Sequence, residues 1–332
     1  MKKNQLGSTE LKVSELALGC WAIAGGMNWG DQDEKDSLEA IAAALDVGMS
    51  TLDTAPGYGN GYSEELIGKA LKGRRDEAFI ATKISGRDHS EEGITKMCEE
   101  SLNRLGTDRV DLLQLHWPRF EVPMEETVGA FEKLREEGKI LSYGVCNFGP
   151  EQLSAYRKAG GMQSSNQVAY NLITRAVEFA VEPATRDAGM GILAYSPIMQ
   201  GLLSDRYQTL DELPEDRRRT RHFSADRDTV RHGHSGHEEA TREAIEKVRE
   251  IARGLNRPTA EVALRWLLDR AKVTSVLVGG RNAQQVRRNV EAARNPLPED
   301  VLDALDRATE QLKADMGANA DLWLAGEASR IR

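Results

Sequence analysis

The feature that most constrains this chain is an alternation between short apolar runs and longer stretches of helical periodicity. The apolar runs fall at residues 16–20, 49–53, 79–83, 110–116, 140–147, 164–170, 191–195 and 273–278. Each is short for a helix and nearly continuous in apolar residues, the pattern of strands buried on both faces. Between and after them, helical spacing marks residues 36–47, 64–72, 92–105, 125–137, 151–159, 182–188, 238–253, 259–270, 283–293 and 299–313. Gly48, Gly73, Gly106, Gly138 and Gly160 follow helices, where a left-handed C-terminal cap favours glycine. Pro150, Pro258 and Pro298 stand near helix starts, where a missing backbone N–H costs little.

Strands that alternate with helices pair in parallel, and eight is the number that closes a βα barrel. The expected fold is therefore an α/β (β/α)8 TIM barrel. Residues 5–16, with a polar turn at Gly7-Ser8-Thr9, are expected to add an N-terminal β-hairpin. A long loop, 196–237, follows strand seven, and residues 314–332 read as a non-helical tail carrying Trp323. No linker divides the chain, so 1–332 is read as one barrel domain.

The net charge of −9 argues against general affinity for nucleic acid or anionic membranes. No secretory leader and no long apolar span is visible. Cys20, Cys98 and Cys146 are odd in number and far apart, fitting neither a disulfide framework nor a zinc motif. A cytoplasmic location is expected.

In such a barrel the chemistry gathers at the carboxyl ends of the strands. Strand two ends at Asp53 and is followed by Tyr58; strand three ends at Lys83 and strand four at His116. A carboxylate, a phenol, an ammonium and an imidazole therefore converge. That set suits carbonyl reduction, in which hydride reaches carbon and a positioned acid protonates oxygen. A free tyrosine titrates near 10, and a neighbouring lysine is expected to lower that value. Asp53 can pair with Lys83, and a neutral His116 can orient the substrate carbonyl by a hydrogen bond.

Asp53-x4-Tyr58, Lys83 in Ile80-Ala81-Thr82-Lys83 and His116 in Asp111-Leu112-Leu113-Gln114-Leu115-His116 resemble the tetrad of the aldo-keto reductase family. So do Ser63-Glu64-Glu65-Leu66-Ile67-Gly68, Gly144-Val145-Cys146-Asn147-Phe148, Asn166-Gln167-Val168-x-Tyr170-Asn171 and Tyr195-Ser196-Pro197. The look is nearest to bacterial inositol and general-stress-type members. The resemblance implies NADPH-dependent, reversible reduction of an aldehyde or ketone, with Tyr58 as general acid, Lys83 and Asp53 tuning it and His116 orienting the carbonyl. It further implies that Asn147 and Gln167 hold the nicotinamide carboxamide and that Tyr195 stacks on its ring. Ser196, Gly201, Leu203 and Arg206 would pass the pyrophosphate, and Gly279, Arg281, Gln285 and Asn289 the adenosine end. Cys146 stands where the family often has Ser, and the last motif lacks a Lys-Ser pair. Arg281, Arg287 and Arg288 still favour NADP(H) over NAD(H).

Trp21, Trp29, Trp117 and Trp323 are candidate walls of a substrate pocket for a small carbonyl or a sugar or polyol, and Trp266 reads as core. Gly57-Tyr58-Gly59-Asn60-Gly61 follows a strand, but its spacing fails the dinucleotide fingerprint. Four of the six histidines and six arginines crowd into 217–237, which reads as a solvated, mobile flap rather than a metal site. Two other classes stand beside the reductase. A cofactor-sensing regulatory subunit need not keep all four tetrad positions. A metal-dependent barrel hydrolase needs carboxylates or histidines where lysine and tyrosine stand here. The oligomeric state is left open.

Overall fold

Two antiparallel strands, β1 (Lys3–Gln5) and β2 (Lys12–Ser14), precede eight parallel strands that close into a barrel. The computed structural model describes residues 1–26, 28–270 and 273–332. The barrel strands are β3 (Leu16–Gly19), β4 (Thr51–Asp53), β5 (Phe79–Ile84), β6 (Val110–Leu115), β7 (Ile140–Cys146), β8 (Ser165–Ala169), β9 (Gly191–Tyr195) and β10 (Ser275–Gly279). Each pairs with the next, and β10 returns to β3. The expected TIM barrel and its hairpin are thus present. The second hairpin strand falls inside the expected 5–16 window, while the first begins two residues earlier, at Lys3, and Leu16 already belongs to the barrel.

Helices follow every barrel strand: α1 (Glu34–Asp46), α2 (Tyr62–Ala70), α3 (Glu91–Leu105), α4 (Met124–Glu136), α5 (Pro150–Lys158) and α6 (Val181–Asp187) after the first six. The last two strands are followed by pairs, α7 (Glu238–Gly254) with α8 (Thr259–Asp269) and α9 (Ala283–Ala292) with α10 (Glu299–Met316). Their ends obey local chemistry. Asp33 caps α1 by accepting from the Lys35 amide at 2.7 Å, and Ser90 caps α3 by accepting from the Gly93 amide at 3.2 Å. Gly106 ends α3 with φ of 61°, a left-handed conformation in which a side chain would be strained.

Strand alternation sorts the apolar side chains into two clusters. Leu18, Leu52, Ile80, Leu113, Val145, Ile192 and Val278 point outward and pack beneath the helices. Ala17, Ala81, Leu112, Leu193 and Leu277 point inward, joined by Leu6 and Val13 of the hairpin segment, which closes the amino end of the barrel. Burying each large apolar side chain of this core contributes about 1.5–3 kcal/mol. One or two residues further along the strands the interior turns polar: Asp53, Lys83, Gln114 and Gln167 are all buried there. The fold therefore puts a dry apolar plug below and a polar floor above, at the carboxyl ends.

Composition favoured a solvated, mobile flap over 217–237, and the structure corrects it. Arg221 donates to the backbone oxygens of Asn319 and Met316, both at 2.6 Å, and His222 is fully buried with Nε2 2.7 Å from the Ile173 oxygen. Thr220 and Phe223 are buried as well. Arg217 and Arg221 are anchored by carbonyl acceptors that local composition does not reveal. α10 also runs to Met316, past the expected 313, and the tail holds a short 3-10 turn at Gly326–Ala328. Among the described residues no helix is long and apolar enough to cross a membrane.

Candidate active site

Strand register brings the four tetrad positions together. Asp53 pairs with Ala81 across β4 and β5, and Lys83 pairs with Gln114 across β5 and β6. Ala81 faces the interior, so Asp53 beside it and Lys83 two residues on face it as well. His116 lies two residues beyond Gln114 and one beyond the end of β6, its amide held by the Ile84 oxygen at 3.1 Å. Tyr58 comes from the loop after β4, in a turn closed by its amide to the Ala55 oxygen at 3.0 Å.

The Lys83 ammonium has three acceptors: Asp53 Oδ1 at 2.7 Å, the Thr54 oxygen at 2.7 Å and the Tyr58 hydroxyl at 3.4 Å. The second carboxylate oxygen, Asp53 Oδ2, accepts from Gln167 Nε2 at 2.7 Å. A charged pair this deeply buried survives only with such complete partnering. Burial pulls the Lys83 pKa down, but the charge of Asp53 and the hydrogen bond to it act in the other direction and the net shift is upward, so the ammonium stays charged.

The expectation that Lys83 brings the Tyr58 pKa below its free value is corrected. Burial dominates, and despite the lysine the phenol is pushed up to about 12, so it keeps its proton at neutral pH. Burial, with Lys83 and Arg330 adding repulsion, takes His116 down to about 3. Its ring is therefore neutral, with Ser85 Oγ 2.8 Å from Nδ1. Cys146 is buried and its thiol pKa is raised by that burial, so it stands there as an uncharged thiol.

The four tryptophans proposed as walls form two pairs, one in contact with Tyr58 and one in contact with Tyr195. Trp21 stacks on Tyr58 with centroids 5.6 Å apart, and Trp29 meets Trp21 edge-on at 5.5 Å. Trp117 meets Trp323 edge-on at 5.6 Å, and Trp323 lies parallel to Tyr195 at 6.3 Å. Trp266 is core, fully buried, with its indole N–H on Asp306 at 2.9 Å. Spacing gave no hint of Arg330, whose guanidinium lies 3.4 Å above the Trp117 ring. It is held there by Asp321, which accepts from Nε and Nη2 of Arg330, each at 2.8 Å. Asp321 is fully buried and also accepts from the Trp323 and Leu324 amides, so one carboxylate fixes the whole tail against the pocket.

On the far side of Tyr195, Asn147 donates to the His116 oxygen at 3.1 Å and accepts from the Tyr195 hydroxyl at 3.0 Å. Gln167 is engaged by Asp53, as described. Asn147 and Ser196 have φ of 62° and 55°, unusual for side chains with a Cβ. Gly201 follows two residues with positive φ, Met199 and Gln200. Gln200 is a residue the sequence did not single out: it is buried, and neither its amide nitrogen nor its oxygen has a hydrogen-bond partner. Two unpartnered polar atoms in a buried site are costly unless a ligand satisfies them. Leu203 is fully buried in the core and Arg206 is exposed beside Tyr207.

Arg281 donates from Nε to Gln32 Oε1 at 2.6 Å and from Nη2 to the Asp31 oxygen, while Gln285 accepts from the Arg281 amide at 2.9 Å. Asn289 donates to the Gly279 oxygen at 3.0 Å. Arg217 donates to the Asn28 oxygen at 2.7 Å and covers the Trp29 ring at 4.5 Å. Burial depresses the Arg217 pKa, with Arg206 and Arg281 adding repulsion and Asp216 opposing it, and among the described residues none of these three guanidinia forms an ion pair with a carboxylate. An anion is the missing partner such a group fits. Arg287 and Arg288 are exposed on α9. Among the described residues, no group of three or more His, Cys, Asp or Glu side chains is arranged to hold a metal ion.

Comparison with known proteins agrees with this geometry. A model described as the Aldo/keto reductase family matches residues 15–310. The chain is 34% identical over 301 residues to Aldo-keto reductase YhdN of Bacillus subtilis, covering 86% of this chain and 87% of that one. It is 31% identical over 337 residues to NADH-specific methylglyoxal reductase of Escherichia coli, covering 92% of this chain and 100% of the relative. Among solved structures, aldo-keto reductase AKR11C1 from Bacillus halodurans in its holo form superposes with a TM-score of 0.75 at 30% identity, covering 93% of this chain and 96% of that one.

Proposed function

The chain belongs to the aldo/keto reductase family and is a nicotinamide-dependent oxidoreductase acting on carbonyl groups, and from that premise we propose that it reduces an aldehyde or ketone with NADPH, Tyr58 supplying the proton. The observation that carries this reading is the Asp53–Lys83–Tyr58 chain of contacts beside a neutral His116. When bound, the nicotinamide cofactor supplies hydride to the carbonyl carbon.

The protein's own groups do the rest. The carbonyl oxygen accepts from the Tyr58 hydroxyl and from His116. We assign Ser85, 2.8 Å away, as the donor to Nδ1, which leaves the proton of the neutral imidazole on Nε2 as a donor to the substrate. Negative charge that develops on the oxygen draws the phenolic proton across. The phenolate left behind is stabilised by the Lys83 ammonium at 3.4 Å, a charge already present and already oriented. Asp53 holds that ammonium in place, and Trp21, stacked on Tyr58, restricts water around the donor. The same groups run in reverse for oxidation of an alcohol, including a polyol.

The residues present fit a nicotinamide cofactor. Asn147, Gln167 and Tyr195 would hold the carboxamide and ring, Gln200 with Ser196 and Gly201 would meet the pyrophosphate, and Asn289, Gln285 and Arg281 the adenosine. The guanidinia of Arg206, Arg217 and Arg281, none ion-paired to a carboxylate among the described residues, support NADPH over NADH. The test is direct. Purified protein is mixed with NADPH or NADH and a panel of aldehydes, ketones and polyols that includes methylglyoxal, while cofactor absorbance is followed. Turnover with the higher kcat/KM for NADPH is expected. No carbonyl-dependent change with either cofactor would end the reading.

A further inference from the structure

Apart from the Arg206, Arg217 and Arg281 group assigned above to the cofactor phosphate, much of the positive charge around the pocket is already compensated. Lys83 is paired with Asp53, Arg330 with Asp321, and Arg227 with Glu238 and Asp211. Arg218 lies 3.6 Å from Asp211, while Arg217 and Arg281 spend their donors on backbone and amide oxygens. His116 is neutral, and Tyr58 keeps its proton.

Arg219 is different. Among the described residues it makes no hydrogen bond and no ion pair, and its Nε is buried without an acceptor. What holds its guanidinium is the face of Trp21, 5.8 Å from the ring centroid. Trp21 in turn stacks on Tyr58, and beside it the indole N–H of Trp29 is also buried with no acceptor. Burial and the like charge of Arg231 pull the arginine pKa down, with Asp216 acting in the other direction. A half-buried guanidinium left without an acceptor costs desolvation that the Trp21 face and the charge of Asp216 return only in part.

We propose that Arg219 is a specificity-determining residue that selects short-chain aldehydes or ketones bearing an anionic group, phosphate or carboxylate, at the end remote from the carbonyl. The proposal rests on the reading of Tyr58 as the proton donor, since it measures the anionic group from the carbonyl held there. Tyr58 and the Arg219 guanidinium lie 5.6 and 5.8 Å from the Trp21 ring centre, so a substrate with its carbonyl on Tyr58 that passes around Trp21 brings its far end to Arg219. An anionic end recovers the lost acceptors by charge-assisted hydrogen bonds. A neutral end gains only the indole contact. Arg330, over Trp117, does not compete, because Asp321 already occupies two of its donors.

The experiment compares matched substrates in wild type, Arg219→Ala, Arg219→Lys and Arg219→Glu. Dihydroxyacetone phosphate is set against dihydroxyacetone, and succinic semialdehyde against butanal. Wild type is expected to prefer an anionic member by about tenfold or more in kcat/KM, carried by KM. Arg219→Ala should collapse that ratio, Arg219→Glu should invert it, and Arg219→Lys should keep part of it. A preference for one pair alone assigns the group as phosphate or as carboxylate. An unchanged ratio in Arg219→Ala overturns the proposal, and so does a cofactor KM that rises equally with every substrate. Were no carbonyl turned over at all, the Tyr58 reading would fall, and calorimetry with inorganic phosphate would still decide this one. Binding weakened by Arg219→Ala supports an anion site, and equal binding in both proteins contradicts it.

Discussion

Replacing Lys83 by Met is expected to cost far more than the loss of one hydrogen bond. The Lys83 side chain is fully buried and that of Asp53 is 5% exposed, so neither charge is solvated by water. Removing the ammonium leaves Asp53 with Gln167 as its remaining side-chain donor. An uncompensated buried charge of this kind costs about 3–5 kcal/mol. Asp53→Asn strands the ammonium in the same way, although the Thr54 oxygen still accepts from it, so its cost lies at the lower end. The double variant removes both charges and keeps similar volume. Its cost should therefore fall short of the sum of the singles by at least about 2 kcal/mol. Urea unfolding followed by fluorescence and circular dichroism gives the cycle, provided the two probes coincide and the slopes match. Single costs that add to within about 0.5 kcal/mol would refute the claim that this pair is an electrostatic unit.

Acid should destabilise the fold through its buried histidines. His116 sits at about 3 and His222 at about 4, both below the free value of 6.5 because burial disfavours the imidazolium. Stability is complete above pH 6.5 and declines as pH falls towards those values, since the unfolded chain takes protons that the folded chain refuses. Substituting His116 by Gln should flatten the fall in urea midpoint between pH 7 and pH 5, and an unchanged slope would count against the assignment. Asp321→Ala should release the tail: it removes the acceptor of the Trp323, Leu324 and Arg330 amides and strands Arg330 over Trp117, a local cost on the order of 2–4 kcal/mol. Limited proteolysis near the C-terminus and a carbonyl KM raised several-fold, with kcat less affected, are the readouts. Arg281→Ala should lower the ratio of kcat/KM for NADPH over NADH by roughly tenfold or more, and an unaltered ratio would remove Arg281 from the phosphate site.

The barrel was legible because its signal is local: apolar runs of strand length, glycines after helices and prolines before them. The tetrad was legible for a related reason. Strand ends in a closed barrel converge wherever the chain goes next, so Asp53, Lys83 and His116 could be brought together from sequence position alone. What stayed hidden depends on partners distant in sequence. Arg221 reads as a surface charge until its acceptors, the oxygens of Asn319 and Met316, are known. Arg330 lies far along the chain from Trp117, which it covers. Gln200 has no pattern around it, and only its burial without a partner marks it. The Tyr58 titration was misjudged because spacing reveals the neighbouring charge but not the degree of desolvation, and desolvation is the larger influence.

The central claim is that the phenol over Lys83 delivers the proton to the carbonyl oxygen. Tyr58→Phe tests it with the loss of a single hydroxyl from a residue whose ring stays stacked on Trp21. Cofactor binding, followed by quenching of protein fluorescence, should be retained within a few-fold, while carbonyl-dependent cofactor oxidation falls by about a hundredfold or more, the range expected for loss of a positioned general acid. Turnover by Tyr58→Phe at the wild-type rate would contradict the account.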